Sequence, residues 1–260
     1  MSDQTFIPLQ QSPLETDNQK KVIRELKVWQ REMLRSPGYF NGLAKKLQTR
    51  INNLIPEKIH QGITAVIKQM IRGVLFGAEY TSPAGLVSSS FAEQEEIVTE
   101  KINFYRKTAA VEGGITGAGG LLLGLADFPL LIGIKIKLLF EIAAAYGFEV
   151  SNYKERLYIL HIFQLAFCSE QQRKTCYLQM QDWDNHVRKL PADINEFDWR
   201  TFQQEYRDYI DLAKMAQLIP VIGAPVGVIV NNRLIKKLGK TAMMSYRMRL
   251  FDQQKLPGIK

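Results

Sequence analysis

Two glycine-rich apolar segments constrain this chain more than any other feature. The first, residues 113–134, reads GGITGAGGLLLGLADFPLLIGI, with seven glycines and a single charge, Asp127. The second, residues 218–230, reads LIPVIGAPVGVIV and carries no charge. About 20 apolar residues suffice to cross a bilayer. A charge near the bilayer centre, however, costs roughly 2.5–3.5 kcal/mol, and Pro129 interrupts a continuous helix. The first segment is therefore expected to be a broken helix or a hairpin turning at Ala126-Asp127-Phe128-Pro129. Asp127 would be the N-cap of the following helix, with Pro129 in its first turn. The second segment is too short to span alone and suits a buried or re-entrant place. Two readings stay open. The segments are buried core, where small residues let helix backbones approach closely, or they form an apolar contact with a membrane or partner. The contact residues would be Leu121, Leu122, Leu123, Phe128, Leu130 and Leu131 in the first segment, and Ile219, Val221, Ile222 and Val228 in the second.

The rest of the chain has helical spacing and lacks the alternation of strands. Val22, Leu26, Trp29 and Met33 predict an amphipathic helix stopped near Ser36-Pro37-Gly38. Helix is also expected over residues 43–55, and over a run ending near Phe76 with Ile59, Ile63, Ile67, Met70 and Val74 on its apolar face. Residues 81–90 read as a loop. Further helices are expected over residues 91–111, with Ile97, Ile102, Tyr105 and Ala109 inward, and over 152–179 as one long element. Residues 181–202 read as an irregular or short-helix link, and helix resumes over 206–215. The expected fold is all-α: a single multi-helix domain, residues 20–255, behind a flexible lead-in of residues 1–19. The two glycine-rich apolar hairpins would lie at its centre. The chain's 260 residues, 46% of them hydrophobic, can bury a sizeable core and exclude a disordered chain.

Charge is unevenly placed. The formal net charge is +8. Residues 1–72 carry 12 Lys/Arg against 6 Asp/Glu, residues 73–213 carry 13 against 19, and residues 214–260 carry 9 against 1. The excess sits in the segment that contains the second apolar run and the helix after it. Its candidate basic surface is Arg233, Lys236, Lys237, Lys240, Arg247 and Arg249. Basic residues beside an apolar segment fit an anionic membrane leaflet, at about 1 kcal/mol per cation near the surface. Nucleic acid is disfavoured because no recognition motif accompanies the charge. The bland alternative is a solvated helix face.

Catalytic signals are sparse. No H-E-x-x-H, C-x-x-C or G-x-S-x-G occurs. The glycines at 114–120 lack the preceding strand and following Lys-Ser/Thr of a phosphate loop. His161 and Cys168, seven apart, share a helix face, and a buried thiol with a satisfied histidine explains them better than a metal pair. No metal or cofactor is expected. The two cysteines, with no secretory signal visible, fit a reducing cytosol. The catalytic candidates are Asp127 and Glu141, acids in apolar surroundings whose pKa would rise if unpaired. They would serve a hydrolase with an acidic site; otherwise each is capped or paired, for example with Lys135, Lys137 or Arg156.

Several ordered pieces resemble the EcsC protein family. They are Leu54-Ile-Pro-Glu-Lys58, Glu112-Gly-Gly-Ile-Thr-Gly-Ala-Gly-Gly120, Ala126-Asp-Phe-Pro-Leu130 and Ala144-Ala-Tyr-Gly-Phe148, then Glu155-Arg-Leu157, Ile219-Pro-Val-Ile-Gly-Ala224, Gly227 to Asn232 and Gly239-Lys-Thr-Ala242. The likeness spans about residues 20–255. Asn231-Asn232 departs from it, where Asn followed by an aromatic residue is expected. The family is bacterial, named from a gene beside an ABC-transporter pair linked to protein secretion, and it supplies no catalytic residues to carry over. The resemblance implies an all-helical cytoplasmic protein able to associate with a membrane. The combined expectation is a non-enzymatic accessory or interaction protein at the inner face of the cytoplasmic membrane, contacting anionic lipid or a protein partner.

Overall fold

Ser90 and Glu93 cap each other across the first turn of a long helix. The Ser90 amide donates to Glu93 Oε2 at 2.8 Å, and the Glu93 amide donates to Ser90 Oγ at 3.3 Å. This reciprocal pairing satisfies two of the donors that a helix start leaves open. The computed structural model describes residues 13–36, 67, 68, 70–75, 90–117, 128–196, 198, 200, 202 and 224–252. Among these, the helices are α1 (Pro13–Leu34), α2 (Phe91–Gly117), α3 (Phe128–Ala145), α4 (Tyr153–Phe167), α5 (Glu170–Gln181), α6 (Trp183–Arg188) and α7 (Ala224–Asp252). A short 3-10 turn covers Ile194–Glu196, and residues 67, 68 and 70–75 are helical as well. No strand forms among the described residues, and the all-α expectation holds.

Local chemistry explains where the elements stop. The α3 helix ends in a left-handed glycine, Gly147, at φ 80°. The Phe148 amide donates to Ala143 O at 3.0 Å and the Gly147 amide to Ala144 O at 2.9 Å, so the last carbonyls are satisfied. Asn152 caps α4 by accepting from the Lys154 amide at 2.9 Å. The single long helix expected over residues 152–179 is in fact two. Cys168 is extended, and Ser169 accepts from the Gln172 amide at 3.3 Å to start α5. Ser169-Glu-Gln-Gln172 is a capping box signature that the continuous apolar spacing conceals. The α1 helix begins at Pro13, inside the segment expected to be a lead-in.

The centre of the fold is α4. Every residue from Glu155 to Phe167 is buried, as expected of a helix that is packed on all sides. Helices α2 and α7 run antiparallel over much of their length, with Glu95 meeting Arg247, Ile102 meeting Gly239 and Arg106 meeting Asn232. The α3 helix also lies antiparallel to α2, through Tyr146 on Glu95 and Tyr105 on Glu141. The α1 helix docks through Trp29, edge-on to Tyr177 of α5 at 5.7 Å. The departure at Asn232 has a structural counterpart: its Oδ1 accepts from Arg106 Nε at 2.7 Å.

The α2 helix continues to Gly117, so the first glycine-rich segment starts inside it, and α3 starts at Phe128 with Pro129 in its first turn. The second segment runs into α7, which starts at Ala224. The turn at residues 126–127, and with it the hairpin expectation, lies outside the described residues, as do residues 218–223.

Gly239 sets the closeness of α2 and α7. A Cβ placed there would lie 2.7 Å from Ile102 Cγ1 and 3.1 Å from Cγ2. Those atoms sit on a branched stem that cannot swing aside freely. Gly239→Ala is expected to destabilise the protein by about 1–3 kcal/mol in chemical denaturation, despite alanine's higher helix propensity. Adding Ile102→Ala should recover part of the loss relative to Ile102→Ala alone. A stabilising Gly239→Ala would refute the close-packing account.

Candidate functional site

The polar residues of interest converge on α7. Arg247 is buried, at 5% exposure, and its guanidinium is held from two sides. Nε donates to both oxygens of Glu95 at 2.9 and 3.1 Å, and Nη2 pairs with Glu95 Oε2. Nη1 reaches Glu25 Oε2 of α1 at 3.1 Å. The Tyr146 hydroxyl donates to Glu95 Oε1 at 2.5 Å. Burial first, and then the Glu95 charge, pushes the Tyr146 phenol well above its ordinary pKa. Burial lowers the Arg247 pKa, but the bonds to Glu95 and its charge, with Tyr146 and Glu25, together outweigh that and raise it.

Two residues on, Arg249 ties α7 to α4. Its Nη1 pairs with Glu155 Oε2 at 2.7 Å, and the Tyr246 hydroxyl donates to Glu155 Oε1 at 2.8 Å. The guanidinium lies over the rings of Phe148 and Tyr158, at 4.2 and 4.4 Å from their centres. Such stacking is favourable for a planar cation removed from water. Both arginines are thus corrections to the expected basic surface: they are interior ion-pair partners. Arg233, Lys236, Lys237 and Lys240 do lie exposed on α7. Position 247 continues the phase of 233 and 240, since seven residues make nearly two helical turns. It is buried where α2 and α1 both meet α7, with Glu95 on one side and, 222 residues away in sequence, Glu25 on the other.

Glu141 is engaged on both oxygens. Tyr105 donates to Oε1 at 2.7 Å, and Lys101 pairs with Oε2 at 2.9 Å. Its partners come from α2, whereas the sequence reading offered Lys135, Lys137 or Arg156. Lys135 is buried, Lys137 is exposed, and Arg156 donates to the carbonyls of Val150 and Leu75 at 2.8 and 2.6 Å. Asp127 lies outside the described residues, as do the side chains of Leu121, Leu122, Leu123, Phe128, Leu130, Leu131, Ile219, Val221, Ile222 and Val228. Among the described residues, no three His, Cys, Asp or Glu side chains are grouped to hold a metal ion. The Glu95, Glu155, Tyr146 and Tyr246 network escaped the sequence reading. The one available signal was Glu155, the single acid of the helical stretch Tyr153–Phe167.

A third cluster involves His161, buried among Trp183, His186 and Phe202 with ring centres 5.1–5.8 Å away. Its Nδ1 lies 2.8 Å from Leu157 O of its own helix. Burial lowers its pKa to about 4, with His186 adding to the effect. Cys168 and Cys176 are both buried thiols, and neither is in a disulfide. The hydrogen bond to Cys168 and then burial raise the Cys176 thiol far above its ordinary pKa, so it stays protonated and inert.

The match to known proteins is extensive. The EcsC protein family model covers residues 20–251. This chain belongs to the EcsC protein family. An EcsC relative, Protein EcsC of Bacillus subtilis (strain 168), is 40% identical over 239 residues, covering 92% of this chain and 98% of that protein. A more distant relative, the Uncharacterized protein YdbA of the same strain, is 24% identical over 249 residues, covering 87% of this chain and 90% of its own. No solved structure matches. The EcsC stretches Glu155-Arg-Leu157 and Gly239-Lys-Thr-Ala242 fall on the Arg249 ion pair and on the close contact of α2 with α7.

Removing one member of a buried ion pair leaves a charge uncompensated, at a cost of about 3–5 kcal/mol. Glu155→Leu should therefore destabilise strongly in urea unfolding, and Glu155→Leu with Arg249→Met should be more stable than Glu155→Leu alone. Equal or lower stability of the double variant would show that the pair does not act as a unit. His161 stays neutral in the fold while the unfolded chain takes up a proton below about pH 6.5. Its contribution is thus complete above that pH and is lost as pH falls towards 4. Relative to His161→Phe, the protein should lose about 3 kcal/mol over this window, measured by urea unfolding at stepped pH. Parallel curves for the two proteins would contradict the assignment.

Proposed function

We propose that the protein is a non-enzymatic accessory or interaction protein that works peripherally at an anionic membrane surface, in the cytoplasm at the inner face of the cytoplasmic membrane, in a process of transport or secretion. The observation that carries this reading is the exposed basic face of α7. Arg233, Lys236, Lys237 and Lys240 occupy the two turns that follow the second apolar segment. Beside them, Arg106 of α2 reaches Asn232. The antiparallel register of α2 and α7 directs the Gly113–Gly117 end of α2 and the start of α7 towards this same end of the molecule. There the apolar contact would come from the two glycine-rich segments. Among the described residues, no helix is long and apolar enough to cross a membrane, which suits contact rather than spanning. The link to transport or secretion rests on the family resemblance. Glu141, held by Lys101 and Tyr105, favours this reading over a hydrolase with an acidic site.

Sedimentation with vesicles tests the proposal. The protein should co-sediment with phosphatidylglycerol-containing vesicles at low salt and be released by salt, since the Debye length shrinks from about 10 Å at 0.1 M to about 3 Å at 1 M. Replacing Arg233, Lys236, Lys237 and Lys240 with Gln should weaken partitioning at least tenfold, given about 1 kcal/mol per cation. Absence of binding at low salt, or binding indifferent to lipid charge, would sink the reading.

A further inference from the structure

A cavity of about 220 Å³ opens where α1 crosses the start of α2 and the end of α7. Val22, Phe91 and Ala92 form apolar wall, Gln19 and Lys21 add polar groups, and Arg247 with Glu95 and Glu25 supplies the charged end. The volume is below the roughly 300–1,000 Å³ of pockets for drug-sized ligands, so the occupant is a small molecule. The two glutamates hold Arg247 in unequal ways. Glu95 is 15% exposed, takes Nε and Nη2, and is itself bonded by Tyr146. Glu25 is 44% exposed and holds Nη1 alone, at 3.1 Å. An ion pair with one partner so open to water is weak, and the remaining contact of Nη1 is Met244 Sδ at 3.6 Å. Nη1 is therefore a buried cationic donor whose carboxylate partner can leave into solvent.

We propose that this cavity binds a small amphiphilic monocarboxylate, whose carboxyl group replaces Glu25 on Arg247 Nη1 and whose apolar part packs on Phe91 and Val22. Charge selects the ligand. With Glu25 turned out to water, the lining keeps Lys21 and Arg247 against Glu95, an excess of one positive charge, which a monoanion neutralises. A phosphate dianion would be repelled by Glu95, which stays fixed on Nε. The apolar wall in turn favours a carboxylate with a hydrocarbon body over a bare anion. Because Glu25 belongs to α1, ligand binding would replace a tie between α1 and α7, and so bears on how firmly α1 is docked.

The test uses the full chain and phenylacetate, titrated by isothermal calorimetry, with amide chemical shifts reporting the location. Phenylacetate should saturate one site and perturb the amides around Phe91, Arg247 and Val22. Glu25→Ala, at a half-exposed position, removes the internal competitor and should tighten binding about two- to five-fold, the range that exposed ion pairs span. Ala92→Leu, at an exposed position on the cavity wall, should abolish binding while leaving the circular dichroism and urea midpoint close to those of the parent. Inorganic phosphate should neither saturate the site nor compete. The proposal is overturned by lack of saturable binding, by unchanged affinity in Glu25→Ala or Ala92→Leu, or by phosphate binding as well as phenylacetate. It rests on the cavity alone, so failure of the membrane reading leaves it standing, and the reverse holds too.

Discussion

Two arginines two residues apart on α7 hold the fold together. Arg247 points to Glu95 of α2, and Arg249 points to Glu155 of α4. A helix turns about 200° in two residues, so one short stretch of α7 addresses opposite neighbours. Each pair is removed from water, and each carboxylate also accepts from a tyrosine, Tyr146 or Tyr246. Desolvating a charge costs several kcal/mol, and the pair recovers that cost only with good geometry and further hydrogen bonds. The tyrosines and the rings of Phe148 and Tyr158 provide these. Buried ion pairs of this kind are better at specifying an arrangement than at adding stability, because any other register of α7 would strand a charge.

The close approach at Gly239 and Ile102 belongs to the same design. Ion pairs near one end of α2 and α7 set the register, and absence of a side chain at Gly239 sets the distance midway along. Arg106 on Asn232 continues the contact towards the glycine-rich end. A long antiparallel pair tied at three levels is a stiff frame on which α1, a mostly polar helix docked through Leu26 and Trp29, can rest. The cavity lies under α1, where the docked helix leaves Arg247 enclosed without filling the space above Phe91.

The arrangement divides the cations of α7 into two groups with different chemistry. Arg233, Lys236, Lys237 and Lys240 are exposed and can act at long range on an anionic surface, subject to salt. Arg247 and Arg249 have given up water for fixed carboxylates and contribute little to the outer field. Of the +8 that stands out in the composition, the part available to a membrane is accordingly smaller than the charge count of the last segment, and it is concentrated near the apolar run.

Local chemistry in the sequence was enough for the all-helical class, the start of α2 at Phe91, the start of α3 around Phe128-Pro129, the stop after Leu34 and the ordered motifs of the EcsC family. These follow from helical periodicity, proline and glycine geometry, and caps within a few residues of where they act. The break at Cys168-Ser169 was legible in principle, since the Ser169 capping box is local, but a continuous apolar face masked it. What depended on tertiary structure was which charges are surface and which are core. Arg247 and Lys240 share a helix phase, and only packing against α2 and α1 buries one of them. Glu141 had plausible partners near it in sequence, yet packing chose Lys101 and Tyr105 of α2. Burial and ion pairing are properties of what lies across the interface. A pattern of spacing along one helix identifies a face, while the neighbour that covers it comes from another part of the chain.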